Sequence, residues 1–431
     1  MVIKPWRGWK MLNQKKLALE IFEEVRNQTK DSVIGVTRES FGVGEEQALK
    51  TLEMYAKKLN LEFDRDDYQN LWIWRKDEVS DLPPIIIGSH IDSVPQGGNY
   101  DGLAGIVAGI LILHSLDKRN LKTKNPIKVL ALRGEESAWY GKAYIGSSAL
   151  LGVLAEIDLE NKHRSEDKSL GQALKQVGAN IDAIRAKKPL LLPSEIKAYL
   201  ELHIEQGPVM VARNWPVAVV TGIRGNMRHN KIQCIGETGH SGAVPRWLRK
   251  DALLAVTELL TRLDEHWRVL LQMGMDLVMT VGVCSTPTQS HAVSVIPGQV
   301  DFSFEVRSQD NETLSQFYNL MRQECEAIEK SRGVQFQFDR KIVTGAAQMD
   351  DKLIGVLVDT AQKDSLLLEK IPSGAGHDAA IFSNNGIPSG MIFIRNNNGS
   401  HNPQEEMDIE DFMIGTNLML DGILEYSNQL N

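Results

Sequence analysis

Five residues that can bind divalent cations are spread along the chain, each in a stretch punctuated by glycine or proline. They are His90, Asp101, Glu136, His203 and His401. Imidazole and carboxylate groups are the usual ligands of zinc, manganese, cobalt and related divalent metals, and such sites need no thiolate. The pattern therefore predicts a hydrolase that uses two metal ions.

The first of these ligands follows directly after an apolar segment, residues 84–87, that is typical of a buried strand. His90 and Asp92 lie in GSHIDSVPQGGNYDG, and Asp101 comes near its end, after a glycine turn, where a helix is expected to open. On an extended segment, residues two apart point to the same side. We therefore expect Asp92 to orient the imidazole of His90 rather than to bind metal itself.

A pair of adjacent carboxylates, Glu135 and Glu136, follows another short apolar strand, residues 127–132. Adjacent carboxylates repel each other, so a buried pair needs a cation nearby. One could bind the metal while the other takes a proton from the activated water. A lone Glu-Glu pair is more often a solvated surface pair. The position of this pair at a strand end, like that of His90, nevertheless favours a metal site.

Two further histidines complete the set of ligands, although each alone has an ordinary explanation. His203 lies in ELHIEQGP, where alternation places Glu201, His203 and Glu205 on one side of a strand. By itself it would be interpreted as a satisfied core histidine. His401 lies in GSHNPQEE after an Asn/Gly run, and a loop histidine is more often solvated than bound to metal.

Three other features could contact a substrate. His240, in GHSGAVP, could polarise a carbonyl or stabilise an oxyanion, and is otherwise a turn histidine. Arg307 ends an alternating strand and could hold a carboxylate with two hydrogen bonds, although a surface salt bridge is the default. The glycine-rich turn SGAGHD, residues 373–378, could donate backbone N–H groups to an anion, or could simply be a tight turn.

Composition narrows the class of protein. The 431 residues, 42% of them hydrophobic, are enough for two domains, and the net charge of −8, without a basic block, disfavours nucleic acid as a partner. No apolar stretch approaches a membrane span, and the N-terminus lacks the apolar region of a secretory signal. Three widely spaced cysteines fit a reducing cytoplasm and are expected to be buried thiols. We therefore expect a cytoplasmic protein with no membrane partner.

The order of helical and extended patterns predicts an α/β fold with an inserted domain. Up to about Gln206 the two patterns alternate, and the ligand candidates fall at strand ends, where open α/β sheets place their sites. Between about Ala218 and Gln335 two strand-helix units indicate a separate α+β domain. The predicted boundaries are residues 1–217 and 337–431 for the metal-binding domain and 218–336 for the insertion.

Six motifs occur in an order that resembles the M20 metallopeptidase superfamily. They are GSHIDSVPQGGNYDG, the Glu135-Glu136 pair, ELHIEQGP, GHSGAVP, SGAGHDA and SHNP. Within that superfamily, ELHIEQGP and SGAGHDA are similar to the hydantoinase/carbamoylase amidohydrolases, which include N-carbamoyl-L-amino-acid hydrolases, β-ureidopropionases and allantoate amidohydrolases. The match runs from about Pro84 to Glu406.

The resemblance implies roles for individual residues. Asp101 bridges two divalent ions (Zn²⁺, or Mn²⁺, Co²⁺ or Ni²⁺), with His90 and His203 on one ion and Glu136 and His401 on the other. The implied catalytic residues are Glu135 as general base, Asp92 and His240. The implied substrate contacts are Gln206, His240, His291, Ser294, Arg307, Gly374 and Ala375. The inserted domain becomes a lid that also forms a homodimer, in which His240 reaches the partner's site.

The implied activity is hydrolysis of a linear amide or ureido C–N bond in a small amino-acid derivative. Two departures from the family pattern concern the substrate. Residues 137–140 read Ser-Ala-Trp-Tyr where a Gly-Ser-Arg-Phe-like stretch is usual, and Trp139 and Tyr140 could line the apolar end of the substrate site. Ser294 replaces a substrate-binding asparagine, with His291 nearby, which predicts an altered preference. Two alternatives are an aminoacylase or dipeptidase and a binding protein without turnover.

Overall fold

The computed structural model describes residues 11–76, 80–290 and 292–428, and the chain divides into two compact units. The boundaries lie between Thr221 and Gly222 and between Ala347 and Gln348. Unit 2, Gly222–Ala347, is therefore inserted into unit 1, which is formed by the segments before and after it.

Within the described residues the chain forms both helices and strands throughout its length. The α-helices are α1 (Met11–Thr29), α2 (Val43–Lys58), α3 (Leu103–Lys118), α4 (Ile145–Leu150), α5 (Leu170–Val177), α6 (Ile181–Arg185), α7 (Val209–Arg213), α8 (Ala252–Gln272), α9 (Asn311–Arg332), α10 (Asp351–Lys363), α11 (Ala379–Asn384) and α12 (Ile409–Asn428). The strands are β1 (Leu61–Arg65), β2 (Leu71–Arg75), β3 (Ile85–His90), β4 (Ile127–Leu132), β5 (Ala198–Ile204), β6 (Val217–Ile223), β7 (Gly225–Ile235), β8 (Gly239–His240), β9 (Val278–Thr280), β10 (Cys284–Ser285), β11 (Val295–Ile296), β12 (Gln299–Ser308), β13 (Gln335–Phe338), β14 (Ile342–Thr344), β15 (Ala347–Gln348), β16 (Glu369–Ser373), β17 (Ser389–Ile394), β18 (Asn396–Asn397) and β19 (Glu406–Met407).

The central sheet of unit 1 is mixed and has nine strands among the described residues. Its order is β1-β2-β4-β3-β5-β17-β6-β15, with β16 paired to β6. The four middle strands β4, β3, β5 and β17 are parallel to one another, whereas β2 and β6 run antiparallel to their neighbours. The carboxyl ends of the parallel strands therefore meet at one edge of the sheet, the usual location of sites in α/β proteins.

Burial explains why these segments form the core of unit 1. Every residue of β3, β5 and β17 is buried, as expected for central parallel strands covered on both faces. Helix α3 is apolar almost all round and packs on β3, β4 and β5. A Cβ added at Gly105 would lie 2.4 Å from the Leu202 carbonyl oxygen, so this glycine permits close packing of α3 on the sheet.

Unit 2 is built from an antiparallel sheet and two long helices. The sheet has the order β10-β12-β7-β13, with β9 on β12 and β14 on β7. Strand β12 alternates strictly between buried and partly exposed residues, and α8 and α9 pack on the sheet. The resulting core includes Ile232, Leu259, Phe302, Phe304 and Phe317.

The two points at which the chain leaves and re-enters unit 1 lie next to each other. Strand β6 leads out of unit 1, and the N–H of Met349 donates a hydrogen bond of 3.1 Å to the Thr221 carbonyl oxygen. Unit 2 is therefore connected to unit 1 at neighbouring positions.

The α/β class predicted from the sequence is confirmed, and so is the expected strand at 127–132. The strand expected around His203 is β5. The expectation that all three cysteines are buried is wrong for Cys284, which is exposed in the two-residue strand β10 at a sheet edge, whereas Cys234 and Cys325 are buried. Among the described residues, no helix combines the length and apolar character that a membrane crossing requires.

Candidate metal centre

Three of the predicted ligands meet at the carboxyl edge of the unit 1 sheet. His90 ends β3, His203 lies in the neighbouring strand β5, and Asp101 lies two residues before α3. The Nε2 atoms of His90 and His203 are 3.3 and 3.1 Å from Asp101 Oδ1. The two Nε2 atoms are 3.4 Å apart, and all three side chains are buried.

The other two predicted ligands meet on the second oxygen of the same aspartate. His401 Nε2 lies 3.4 Å from Asp101 Oδ2 and 3.3 Å from Glu136 Oε1. Glu136 is buried, whereas the side chain of His401 is half exposed. The described residues contain three groups of possible ligand atoms, each with three residues, and the carboxylate of Asp101 belongs to two of them. The third group consists of Glu201, His203 and His377.

The hydrogen bonds around these groups fit a site for cations. His90 Nδ1 lies 3.1 Å from the Asp92 carbonyl oxygen and His203 Nδ1 lies 2.8 Å from the Ile204 carbonyl oxygen, so each Nδ1 must carry the proton. The Nε2 lone pairs then face Asp101. Asp101 Oδ1 and Glu136 Oε1 are both buried and accept no hydrogen bond. Converging nitrogen and carboxylate lone pairs repel each other unless a cation lies between them, and this donor set suits divalent transition metals.

Asp92 holds the loop that carries the two glutamates. Its Oδ1 and Oδ2 accept hydrogen bonds of 3.0 Å from the backbone N–H groups of Glu135 and Glu136, and Oδ2 also accepts one of 2.7 Å from Ser40 Oγ. The carboxylate lies 3.5 Å from His90 Nδ1. Asp92 thus lies beside the imidazole, as expected, but its closer contacts are with the glutamate loop.

Glu135 is buried beside the two groups of ligands. Burial, followed by the neighbouring Glu136 and Asp378 carboxylates, raises the pKa of Glu135 well above its usual value, although His90 opposes the shift. A buried carboxyl group with a raised pKa is suited to accept and return a proton near neutral pH.

The local backbone is shaped to bring these side chains together. Gly102 has φ of +67°, and a Cβ there would lie 2.4 Å from the His90 carbonyl oxygen, so only glycine fits between Asp101 and α3. Gln206 and His401 also have positive φ, 62° and 60°, although neither is glycine. Such strain is often concentrated at functional sites.

Gln206, a predicted substrate contact, lies directly beside the ligand groups. Its Nε2 donates a hydrogen bond of 2.8 Å to Asp101 Oδ2 and lies 3.5 Å from His401 Nε2. Its backbone N–H donates to Asn396 Oδ1 at 2.9 Å. Gln206 therefore connects the end of β5 with the segment that leads to His401.

Sequence reasoning missed Arg38, which is fully buried beneath the segment from His90 to Asp101. Its guanidinium donates to the carbonyl oxygen of Ile91 at 2.7 Å, to Asn99 Oδ1 at 3.2 Å and to the carbonyl oxygen of Asp101 at 3.3 Å. A single arginine 52 residues before His90 gives no pattern that would have revealed this role.

Sequence reasoning also missed Glu405, which joins the loops of Asp101 and His401. Its Oε1 accepts hydrogen bonds from the backbone N–H groups of Tyr100 at 2.8 Å and Asp101 at 3.2 Å. Ser400 Oγ lies 2.7 Å from Glu405 Oε2 and 2.6 Å from Asp101 Oδ2. Burial raises the pKa of Glu405 to about 7. The only signal was a second pair of adjacent acids, Glu405 and Glu406, close to a ligand histidine.

The glycine-rich turn between β16 and α11 packs against His203. The His377 ring makes an edge contact with the His203 ring at 4.4 Å between centroids, and its Nε2 lies 2.9 Å from Ser373 Oγ. The N–H of Ala375, predicted together with Gly374 to contact the substrate, donates to Ser373 Oγ at 3.2 Å. The turn thus has its own local hydrogen bonds.

Unit 2 contains the remaining predicted substrate contacts. His240 pairs with Val295 in the ribbon of β8 and β11, and Ser241 N–H donates to the Ser294 carbonyl oxygen at 2.8 Å. His240 and Ser294 are therefore close together, and both are exposed. Arg307, near the end of β12, has Nη2 3.0 Å from Glu305 Oε1 and is one-third exposed. His291 lies outside the described residues.

Trp139 and Tyr140 have a different place from the one expected. They are only 6% and 2% exposed, within an apolar cluster that includes Phe41 and Ile145. The expectation that they line the apolar end of the substrate site is therefore wrong, because both rings are buried among other apolar side chains of unit 1.

Comparisons with known proteins agree with this architecture. The peptidase family M20/M25/M40 matches residues 86–425. The chain is 30% identical to an N-carbamoyl-L-amino-acid amidohydrolase of Pseudomonas sp. (strain NS671), over 93% of this chain and 94% of that protein. It is 29% identical to the allantoate amidohydrolase of Escherichia coli (strain K12), over 85% of this chain and 88% of that protein. A solved hydantoinase/carbamoylase family amidase from Burkholderia multivorans superposes with a TM-score of 0.85 at 26% identity, covering 97% of this chain and 98% of that one.

Proposed function

The chain belongs to the peptidase family M20/M25/M40 and to its hydantoinase/carbamoylase branch, and on this basis we propose that it is a metal-dependent amidohydrolase. It hydrolyses the linear C–N bond of an N-carbamoyl- or N-acyl-amino acid or a similar ureido compound. Its relatives with these activities in their names align with almost the whole chain.

One observation carries this proposal: two groups of three ligand residues share Asp101, and Glu135 lies next to one of them. We assign His90, Asp101 and His203 to one divalent ion and Asp101, Glu136 and His401 to the other. The nitrogen and oxygen donors fit Zn²⁺, Mn²⁺, Co²⁺ or Ni²⁺.

The chemistry follows from this arrangement. Two bound cations would supply an acidified water and polarise the carbonyl of the substrate. Glu135 accepts the proton of the attacking water on its carboxylate and delivers it to the leaving amine. Asp92 keeps this loop in place because its carboxylate accepts hydrogen bonds from the backbone N–H groups of Glu135 and Glu136. Gln206 holds Asp101 through its amide.

The proposed substrate contacts include residues of unit 2. Arg307 binds the carboxylate of the amino-acid moiety, His240 polarises the carbonyl, and Ser294 contacts the part of the substrate that varies among relatives. The further contacts are Gln206, His291, Gly374 and Ala375. The protein acts in the cytoplasm as a homodimer formed through unit 2, whose surface exposes Trp247, Leu248 and Leu254.

The test is a metal-dependent assay on a panel of substrates. Purified protein is analysed for bound metals, stripped with a chelator and reloaded with single metals. Turnover is measured on carbamoyl, formyl and acetyl amino acids, on allantoate and on dipeptides. We expect hydrolysis of a non-peptide C–N bond that is lost on stripping and restored on reloading. Preferential cleavage of dipeptides, or turnover unaffected by stripping, would refute the proposal.

A further inference from the structure

The indole of Trp139 connects two segments of the metal centre. Its Nε1 donates a hydrogen bond of 2.8 Å to the carbonyl oxygen of Ser93. Ser93 follows Asp92, and Trp139 lies three residues after Glu136. The contact therefore links the loop that carries Glu135 and Glu136 to the segment that carries His90 and Asp101.

Two further contacts hold Trp139 in place. Its ring stacks on the His163 ring with 5.6 Å between centroids and 7° between planes. Its carbonyl oxygen accepts a hydrogen bond of 2.8 Å from the Arg164 N–H. Because both the ring and the backbone are held, the indole N–H is a rigid donor rather than a mobile one.

The loop from Glu135 to Tyr144 is attached at several points. The Tyr144 N–H donates to the Glu135 carbonyl oxygen at 3.1 Å, and the Asp92 carboxylate accepts from the N–H groups of Glu135 and Glu136. Farther along the loop, Lys142 Nζ lies 3.1 Å from Asp158 Oδ2. The Trp139 hydrogen bond differs from that ion pair because it joins this part of the loop to the segment from His90 to Asp101.

The acceptor of this hydrogen bond belongs to a rigid frame. Ser93 N–H donates to the Arg38 carbonyl oxygen at 2.9 Å, and Arg38 N–H donates to Ser93 Oγ at 2.9 Å. The Arg38 side chain in turn donates to the Asp101 carbonyl oxygen. A continuous series of hydrogen bonds therefore runs from Trp139 through Ser93 and Arg38 to the aspartate shared by both ligand groups.

We propose that Trp139 is a positioning residue of the metal centre, whose indole N–H sets the distance between Glu136 and Asp101 and aims Glu135. This inference rests on the proposed function. Loss of the N–H leaves the Ser93 carbonyl oxygen, in a residue only 1% exposed, without its donor and frees the loop to shift. A shift of this kind weakens the ion bound by Glu136 and misplaces the base, but leaves the substrate contacts of unit 2 intact.

The test is Trp139→Phe, which keeps an aromatic ring at this position but removes the N–H donor together with part of the buried ring. Metal affinity is measured by titrating the stripped protein, and kcat and KM are measured on the best substrate of the panel. Partners that hold a ligand in place typically contribute 10- to 100-fold to metal affinity. We therefore expect the ion held by Asp101, Glu136 and His401 to bind about 10-fold less tightly and kcat to fall about 10-fold, with KM changed by less than about twofold.

Trp267→Phe is the matched control. Trp267 Nε1 also donates to a backbone carbonyl oxygen, that of Leu277, at the same 2.8 Å, but in unit 2. Both variants lose one indole hydrogen bond, so both should lower Tm by a similar amount. Only Trp139→Phe should change metal affinity and kcat. Equal metal affinity and equal kcat in the two variants, or a change in KM alone for Trp139→Phe, would overturn the proposal.

A closer isostere guards against misfolding. Benzothienylalanine at position 139 replaces the indole N–H by sulfur and keeps the shape of the side chain. It should reproduce the loss of affinity for the ion held by Asp101, Glu136 and His401. Normal metal binding by this variant would equally refute the inference. The wild-type protein separates the two proposals: if its hydrolysis survives stripping of metal, the proposed function itself fails, whatever the variants do.

Discussion

At the scale of single residues, Glu135 and Glu136 are adjacent in sequence but differ in their surroundings. Glu136 Oε1 lies 3.3 Å from His401 Nε2, whereas Glu135 belongs to none of the ligand groups found among the described residues. We expect Glu135→Gln to keep its metal and to lose turnover by a factor of about 10² or more, because general-base help contributes about that much. Metal analysis and kcat measure the two effects separately.

Glu136→Gln is the comparison for that variant. It should lose metal, since a neutral amide replaces a charged ligand. An active Glu135→Gln protein, or one that has lost its metal together with its activity, would show that the roles of the two glutamates are assigned incorrectly.

Arg307 is expected to recognise a carboxylate of the substrate. Its guanidinium already pairs with Glu305 Oε1 at 3.0 Å, so it is held in a defined direction. Arg307→Lys keeps the charge but loses the planar pair of donors, and KM should rise about 10-fold. Comparison of a substrate with its carboxamide provides the check: wild type should discriminate strongly, and equal rates on both would remove Arg307 from the substrate site.

Ser294 is expected to alter substrate preference relative to family members with asparagine there. A serine hydroxyl is shorter than an amide and offers one rotatable donor, so a bulkier or differently substituted amide should be preferred to a simple N-carbamoyl amino acid. The measurement is kcat/KM across the substrate panel for wild type and Ser294→Asn. If wild type prefers a simple N-carbamoyl amino acid and no ratio changes by more than about twofold, the substitution is neutral.

At the scale of elements, the loop that carries His401 is tied to the loop before α3 by Glu405. Glu405→Gln keeps one oxygen for the two backbone N–H groups, but it removes the negative charge and replaces Oε2, which accepts from Ser400 Oγ, by an amide nitrogen that cannot accept. We expect metal affinity to fall about 10-fold and the free energy of unfolding to fall by about 1–3 kcal/mol. Metal titration and denaturant unfolding measure these effects.

The neighbouring Glu406→Gln makes the same chemical change on an exposed side chain. It should change neither quantity measurably. Equal effects of the two variants would mean that the hydrogen bonds of Glu405, which join the loops of Asp101 and His401, contribute nothing to the site.

The elements that could be predicted from sequence were those with a strong local pattern. The apolar runs that became β3, β4 and β5 indicated strands, and His90, Glu136 and His203 were predicted at or near their ends because open α/β sheets place sites there. Arg38 and Glu405 could not be predicted, because their partners at Asp101 lie 63 and 304 residues away and the contacts leave no spacing pattern. Trp139 was considered as a possible part of the substrate site because the sequence does not reveal which aromatic rings are buried.

At the scale of the whole molecule, the five candidate ligands all lie in unit 1. The ligand groups bring several buried carboxylates together only in the folded protein. Cations that bind there therefore stabilise the folded form relative to the unfolded form. At a free metal concentration of 100 times Kd, one site contributes about 2.7 kcal/mol. We therefore expect chelation to lower Tm and to speed amide hydrogen exchange in unit 1, with exchange in the α8 and α9 core of unit 2 unchanged.

A variant without the first ligand group, such as His90→Ala, provides the control for that experiment. Its Tm should respond less to added metal than that of wild type. An identical response of the two proteins would place the stabilising cation outside the proposed site.

The hydrogen bond between Met349 and Thr221 has a consequence for how this gene can change. Because the departing and returning strands are neighbours, a very short peptide could join them if unit 2 were removed. The intervening 126 codons therefore encode a segment that can be exchanged as a whole. Two crossovers could exchange it for a homologous piece, carrying His240, Ser294 and Arg307 with it and leaving every ligand codon behind. Recombination could thus change substrate recognition, and His240 with it, while the five metal ligands and Glu135 are inherited unaltered.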